Sequence, residues 1–223
     1  MGSGVTNVSG GGGCSMSLRT FVVEALADFP MVAAVSPSSR FLASAMLEPL
    51  PFARTRIALE LGAGTGVITH ALLEQLPSNA KLLVFEINRR FVDCLQESIS
   101  DSRVILIHSS VENLSSELQR RGIEHVDAVV SSLGLAFMSD RQREALFEQL
   151  APFLHKSSVF TQYQYIHGMQ FVKGRLCRFN LRSLLSRYFG SVHSKIVWRN
   201  LPPAFVFTCR AQSAGQQSAV AGR

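Results

Sequence analysis

A short apolar run, Ile57-Ala58-Leu59-Glu60-Leu61, leads into a turn with glycine at every second position, Gly62-Ala63-Gly64-Thr65-Gly66. A second apolar run, Leu82-Leu83-Val84-Phe85, ends in Glu86. Glycines in such a turn let the backbone approach a ligand closely and take dihedrals closed to other residues. An acid at the end of the next strand offers two acceptors for a ribose diol. Together these residues predict a site for a nucleoside-bearing cofactor at the carboxyl ends of parallel strands.

Two cofactor classes use this arrangement. A dinucleotide fingerprint places its third glycine at the sixth position of G-x-G-x-x-G, with a pyrophosphate on the helix N-terminus. Here the glycines are 62, 64 and 66, and Val67 takes the sixth position. Glu60 stands two residues before the first glycine, where its charge would repel a pyrophosphate. The same charge suits the ammonium and sulfonium groups of S-adenosylmethionine (SAM). The spacing Glu-x-Gly-x-Gly-x-Gly resembles motif I of class I SAM-dependent methyltransferases. Glu60, Gly62, Ala63, Gly64, Gly66, Glu86 and Ile87 are the first candidate cofactor residues.

Elements that could position them alternate along the chain. Apolar runs predict strands at 56–61, 81–86, 103–108, 126–131 and 157–163, with helices at about 67–76, 89–99, 111–120 and 139–153 between them. Such alternation implies a parallel sheet with helices on both faces. Lys195–Arg199 and Ala204–Thr208 flank Asn200-Leu201-Pro202-Pro203, and so short a connection forces an antiparallel pair. The expected fold is α/β and Rossmann-like: a mostly parallel seven-stranded sheet with an antiparallel terminal strand, as in the class I methyltransferases. Ser110 and Val111 follow the third strand, where that family holds adenine. Ser131 and Leu133 end the fourth, where the acceptor side should begin.

Ahead of the first strand, a helix is expected over 17–29, stopped by Pro30, and a serine-capped one over 41–47. The expected organisation is a Gly/Ser-rich tail (1–15), a helical cap (16–52), a methyltransferase domain (53–211) and a second tail (212–223). Met1-Gly2-Ser3-Gly4-Val5-Thr6 matches the N-myristoylation pattern in form alone. Cysteines 14, 94, 177 and 209 make no C-x-x-C pair and no cluster with histidine, which argues against a disulfide framework or a metal site. No apolar run reaches the roughly 18 residues of a membrane span.

Charge is distributed unevenly. Through residue 140 there are ten Lys/Arg against fourteen Asp/Glu; from 141 onward there are twelve against two. That imbalance points to a polyanionic partner, either nucleic acid or an anionic lipid surface. Residues 174–187 interleave Arg175, Arg178 and Arg182 with Leu181, Leu184 and Leu185. Read as one helix, the segment is basic and amphipathic, suited to a headgroup layer.

Three segments narrow the resemblance: Val32–Arg40 before the first strand, Thr161–Tyr165 on the fifth, and Asn200-Leu201-Pro202-Pro203-Ala204 in the last hairpin. They resemble bacterial phosphatidylethanolamine N-methyltransferases, a family related to the ribosomal RNA adenine dimethylases. The resemblance spans roughly residues 18 to 210. It implies transfer of methyl groups from SAM to phospholipid headgroups by a cytoplasmic enzyme bound peripherally to an anionic or zwitterionic phospholipid membrane, with no metal. After the fourth strand the chain has Ser131-Ser132-Leu133-Gly134, whereas the lipid family usually has Ser-Gly-Leu-Pro and the RNA enzymes Asn-Leu/Ile-Pro-aromatic. Without that asparagine and aromatic ring an adenine target lacks its acceptor and its stacking platform, so no stable nucleic-acid partner is expected.

On this reading Gln162 and Tyr165 orient the acceptor nitrogen, with Tyr163 on the other face of the strand and His167 a further proton acceptor. Arg175 and Arg178 hold the lipid phosphate. Ser38 and Ser39, in the segment carrying the resemblance, are substrate-side candidates. Alternatives are an rRNA adenine N6-methyltransferase, a methyltransferase for a small soluble amine, and a SAM-fold adaptor without catalysis.

Overall fold

A computed structural model describes residues 40–166, 169–172 and 175–211. Among the described residues there are nine strands: β1 (Ile57–Leu61), β2 (Lys81–Glu86), β3 (Val104–His108), β4 (Val126–Ser131), β5 (Leu154–Tyr165), β6 (Met169–Val172), β7 (Arg175–Arg178), β8 (Ser191–Val197) and β9 (Ala204–Arg210). Six α-helices accompany them: α1 (Arg40–Leu47), α2 (Val67–Gln75), α3 (Arg89–Ser98), α4 (Leu114–Arg120), α5 (Asp140–Leu150) and α6 (Leu181–Tyr188).

Seven strands form one sheet in the order β3-β2-β1-β4-β5-β9-β8. Strands β1 to β5 are mutually parallel, and β9 runs antiparallel between β5 and β8. The expected fold is therefore the observed one. The central strands bury both faces, which is why β1, β2 and β4 read as near-continuous apolar runs.

Alternation along each strand sorts the core into two layers. Leu59, Leu61, Phe85, Phe147 and Phe160 belong to one layer, with Leu181, Leu184 and Leu185 of α6. Leu42, Met46, Leu72, Leu82, Val84 and Val130 form the other, which includes the buried face of α1. Local chemistry fixes the helix starts. Asn88 Oδ1 accepts from Arg90 N at 3.0 Å to open α3, and a Ser139–Gln142 capping box opens α5.

Two differences from the sequence reading matter. The segment expected as one helix over 174–187 is split: Arg175–Arg178 pairs with Met169–Val172 as a two-stranded ribbon, and the helix begins only at Leu181. Asn180 explains the boundary, because its side chain accepts from Ser183 N at 3.0 Å and caps α6. Arg175 and Arg178 thus share no helix face with Arg182. Strand β5 is also longer than expected, twelve residues, because β4 pairs with it from Leu154 and β9 as far as Tyr165. The expected helix at 17–29 and both tails lie outside the described residues.

Candidate active site

Strand order reverses direction between β1 and β4, and ligands in open α/β sheets bind at such a point, beyond the carboxyl ends of the strands. The register brings the right residues there. Leu61 lies beside Phe85 and Ser131, Glu86 beside His108, and Ser131 beside Gln162.

The turn after β1 is left-handed at all three glycines. Gly64 (φ 54°) has nothing within 4 Å of where a Cβ would stand, so its open side can meet a ligand. Gly66 (φ 81°) is different: a Cβ there would lie 2.7 Å from Leu95 Cδ2, so this glycine serves the packing of α2 on α3. Ala63 is buried beside them. Gly62 N donates to Phe85 O at 2.9 Å, which ties the turn to β2.

Glu86 is nearly buried, and both carboxylate oxygens accept backbone amides: Gly64 N at 2.8 Å and Asn88 N at 2.8 Å. The acid thereby locks the glycine turn, and each oxygen keeps a lone pair for a further donor. Ile87 follows it, 61% exposed, and its carbonyl meets His108 Nε2 at 3.1 Å.

Glu60 is fully buried, and neither of its oxygens has a hydrogen-bond partner. Burial pushes its carboxyl up to about 8, the neighbouring Thr69 hydroxyl opposing the shift and the Glu86 charge adding to it. A buried acid without a donor beneath a glycine turn is what a cationic ligand group would complete. The residues present therefore fit a nucleoside cofactor with an ammonium group. Thr69, three positions into α2, escaped the sequence reading; its only signal was its place one turn after the glycines.

After β3, Ser110 Oγ accepts from Glu112 N at 3.2 Å and caps the short turn that Val111 begins. After β4, Ser131 is buried, and Leu133 Cδ2 would lie 3.2 Å from a Cβ on Gly62. The cofactor candidates thus stand at or just after the carboxyl ends of four neighbouring strands.

Gln162 is buried beside Ser131. Its amide nitrogen donates to Leu133 O at 3.0 Å and Tyr163 O at 2.9 Å, while Oε1 has no partner. Tyr165 does not share its face. Residues two apart point the same way along a strand, and the Tyr163 and Tyr165 rings stand 5.5 Å apart, edge to face. Both tyrosines pack on the layer that holds α1. The expectation that Tyr163 turns away from Tyr165, and that Tyr165 acts beside Gln162, is corrected by this parity. Burial raises the Tyr165 phenol above the ordinary tyrosine range, so it stays protonated.

Arg143 was also missed, since one arginine inside a helix carries no local signal. It is buried, donates to Leu135 O at 2.7 Å and Asp140 Oδ1 at 2.6 Å, and stacks 4.7 Å over the Phe179 ring. It braces the loop after β4 against the start of α6. Beyond Gln162, a cavity of about 490 Å³ is lined by Gln164, Asn180, Arg182, Ser194, Phe205 and Phe207, among others. Ser38, Ser39 and His167 lie outside the described residues. Arg175 and Arg178 are placed by the backbone of β7 alone. Among the described residues no group of His, Cys, Asp or Glu is arranged to hold a metal ion.

Comparison with known proteins agrees with this fold. A family model described as a methyltransferase domain matches residues 58–157. The ornithine lipid N-methyltransferase of Singulisphaera acidiphila is 33% identical over 181 residues, 80% of this chain and 88% of that protein. The chain belongs to the class I SAM-dependent methyltransferases. SAM is accordingly the methyl donor of this enzyme. A ribosomal RNA small subunit methyltransferase H from Bordetella pertussis is 34% identical over 94 residues, covering 40% of this methyltransferase and 26% of that protein. Among solved structures, the Burkholderia thailandensis 1,6-didemethyltoxoflavin-N1-methyltransferase, which holds S-adenosylhomocysteine, aligns with a TM-score of 0.60 at 19% identity over 88% of each chain. A relation to the rRNA adenine dimethylases in particular is not among these likenesses.

Proposed function

We propose that this methyltransferase acts on the amine of a membrane lipid headgroup, with phosphatidylethanolamine as substrate, at the cytoplasmic membrane surface. The observation that carries the reading is the 33% identity to a lipid N-methyltransferase across nearly the whole of both chains. That relative's acceptor, an ornithine lipid, shares the chemistry of an amine presented at a bilayer.

Bound SAM supplies a methyl group already activated by the sulfonium. Glu86 would receive the ribose hydroxyls, and Glu60 the ammonium of the cofactor's amino-acid portion. The open side of Gly64 lets the backbone approach. Ala63, Ile87, Ser110, Val111, Ser131 and Leu133 would line the remainder.

An amine nucleophile must shed its proton, because a protonated ammonium has no lone pair. The chain meets this by desolvation, which favours the neutral amine, and by orientation. Gln162 is the orienting residue in this reading: its nitrogen is committed to two backbone carbonyls, so the unpartnered Oε1 is the end that accepts an N–H of the substrate. The protonated Tyr165 phenol is no base; it acts as a positioning group beneath the last turn. Arg175 and Arg178, on the ribbon beside the loop after β4, are the candidates for the lipid phosphate, with Ser38 and Ser39 on the substrate side.

The test is transfer of labelled methyl from SAM to vesicles of phosphatidylethanolamine, to vesicles containing ornithine lipid, to ribosomal RNA and to free ethanolamine. Label in phosphatidylethanolamine supports the reading and counts the methyl groups added. Label confined to ornithine lipid keeps the lipid amine and replaces the headgroup. Label in RNA or free ethanolamine alone overturns the lipid reading.

A further inference from the structure

Two of the most exposed large apolar side chains among the described residues stand close together. Trp198 is 70% and Leu201 82% exposed, both in the turn between β8 and β9, and Ile196, two positions before Trp198, is 38% exposed. Isolated surface apolar residues are ordinary. A tryptophan and a leucine at the apex of one hairpin are not isolated, and water gains nothing from their display.

The turn is rigid. Asn200, only 3% exposed, donates from Nδ2 to Pro202 O at 2.7 Å, and Pro202 and Pro203 follow. Its base is fastened to the catalytic strand: Ile166 N donates to Pro203 O at 3.0 Å, and Tyr165 pairs with Ala204. Strand β8 runs parallel to β5, since both are antiparallel to β9. The β8–β9 turn therefore projects from the same edge of the sheet as Glu86, Ser131 and Gln162.

Cations flank the apolar tip. The Arg199 guanidinium lies 4.1 Å over the Phe41 ring, and that of Arg40 5.0 Å from the same ring. From residue 149 to 223 the chain has ten Lys/Arg and no Asp or Glu. An aromatic ring that favours the headgroup boundary, a leucine that reaches past it, and arginines that pair with phosphates form a set matched to a phospholipid surface.

We propose that the β8–β9 turn inserts Trp198 and Leu201 into the bilayer and holds the open edge of the sheet against the headgroups. The proposal deepens the aminolipid reading and rests on it. The size of the patch favours a bilayer over a protein partner. A tryptophan and a leucine bury at most a few hundred Å², on the order of a quarter of what a specific protein interface needs, whereas a membrane accepts a small wedge aided by charge.

Trp198 is the chain's single tryptophan, so tryptophan emission, excited beyond the tyrosine absorption band, reports this turn alone. The full chain is mixed with phosphatidylethanolamine vesicles containing phosphatidylglycerol, with and without brominated acyl chains. The expected result is a blue shift of emission and quenching by bromine. In parallel, Trp198→Ser with Leu201→Ser should weaken co-sedimentation with these vesicles at least about tenfold. Binding of S-adenosylhomocysteine and methylation of a monomeric short-chain phosphatidylethanolamine should be retained.

If wild type sediments with vesicles while emission is unshifted and the double variant sediments equally, the turn is not the anchor, and the aminolipid reading stands. A blue shift that arises on concentrating the protein without vesicles would instead assign the turn to a second copy of the chain. If Trp198 inserts but no lipid is methylated, the docking proposal holds and the substrate assignment fails.

Discussion

Replacing Glu60 by glutamine keeps the shape of the side chain and removes its charge, which isolates the electrostatics of the cofactor site. Folding raises this carboxyl from an ordinary 4.5 to about 8, chiefly by burial. Between those values the folded chain holds a proton that the unfolded chain has released, so the contribution of Glu60 to stability is greatest below pH 4.5 and falls as pH rises towards 8. At about 1.4 kcal/mol per unit, the acid opposes folding by roughly 3 kcal/mol at pH 7. Thermal unfolding from pH 5 to 8.5 should show Tm of the unliganded wild type falling with pH, and a flatter profile in Glu60→Gln that exceeds wild type at neutral pH.

S-adenosylhomocysteine keeps the ammonium and lacks the sulfonium, so it tests that one contact. Its cation favours the ionised carboxylate, and binding to the wild type near pH 7 should release close to one proton. Calorimetry in two buffers of different ionisation enthalpy measures this directly. Glu60→Gln should release none and bind about tenfold to a hundredfold more weakly, the range for a lost charge-assisted hydrogen bond. Equal pH profiles for the two proteins, or equal affinity with equal proton release, would refute the assignment of Glu60.

The glycine turn separates packing from binding. Gly66→Ala should destabilise the fold by about 2 kcal/mol, from left-handed backbone strain and the contact with Leu95; Gly64→Ala, with open space around it, should lose about 1 kcal/mol yet weaken S-adenosylhomocysteine more. Equal loss of stability in denaturant unfolding of the two variants would remove the distinction. Glu86→Ala frees the Gly64 and Asn88 amides as well as the proposed ribose site, and calorimetric titration should show binding weakened by about a hundredfold; unchanged affinity would take Glu86 out of that site.

Much of the molecule was legible in the chain because its signals are local. Alternating apolar runs and helical stretches specified the doubly wound sheet, since a strand buried on both faces must be apolar throughout. The spacing of Glu60, Gly62, Gly64, Gly66 and Glu86 marked the candidate cofactor site, because backbone approach and ribose contact depend on positions a few residues apart or at adjacent strand ends. Side-chain parity along β5 is equally a sequence property, and period two sets Tyr163 on the face of Tyr165 and Gln162 on the other.

Tertiary structure alone decided the rest. Arginine and leucine alternate over 174–187 in a way that satisfies a helix, yet pairing with Met169–Val172 and the Asn180 cap divided the segment. Gln162 became a brace for the loop after β4 only because strand register sets it beside Ser131. Arg143 meets Asp140 at an i,i+3 spacing that the sequence carries, but it reaches Leu135 and Phe179 only through the packing of α5. The exposure of Trp198 was likewise invisible, because an apolar residue in a sequence reads as core until the fold leaves it no neighbour. Short-range chemistry is written along the chain; which distant groups meet, and which are left to solvent, follows from burying two apolar faces of one sheet at once.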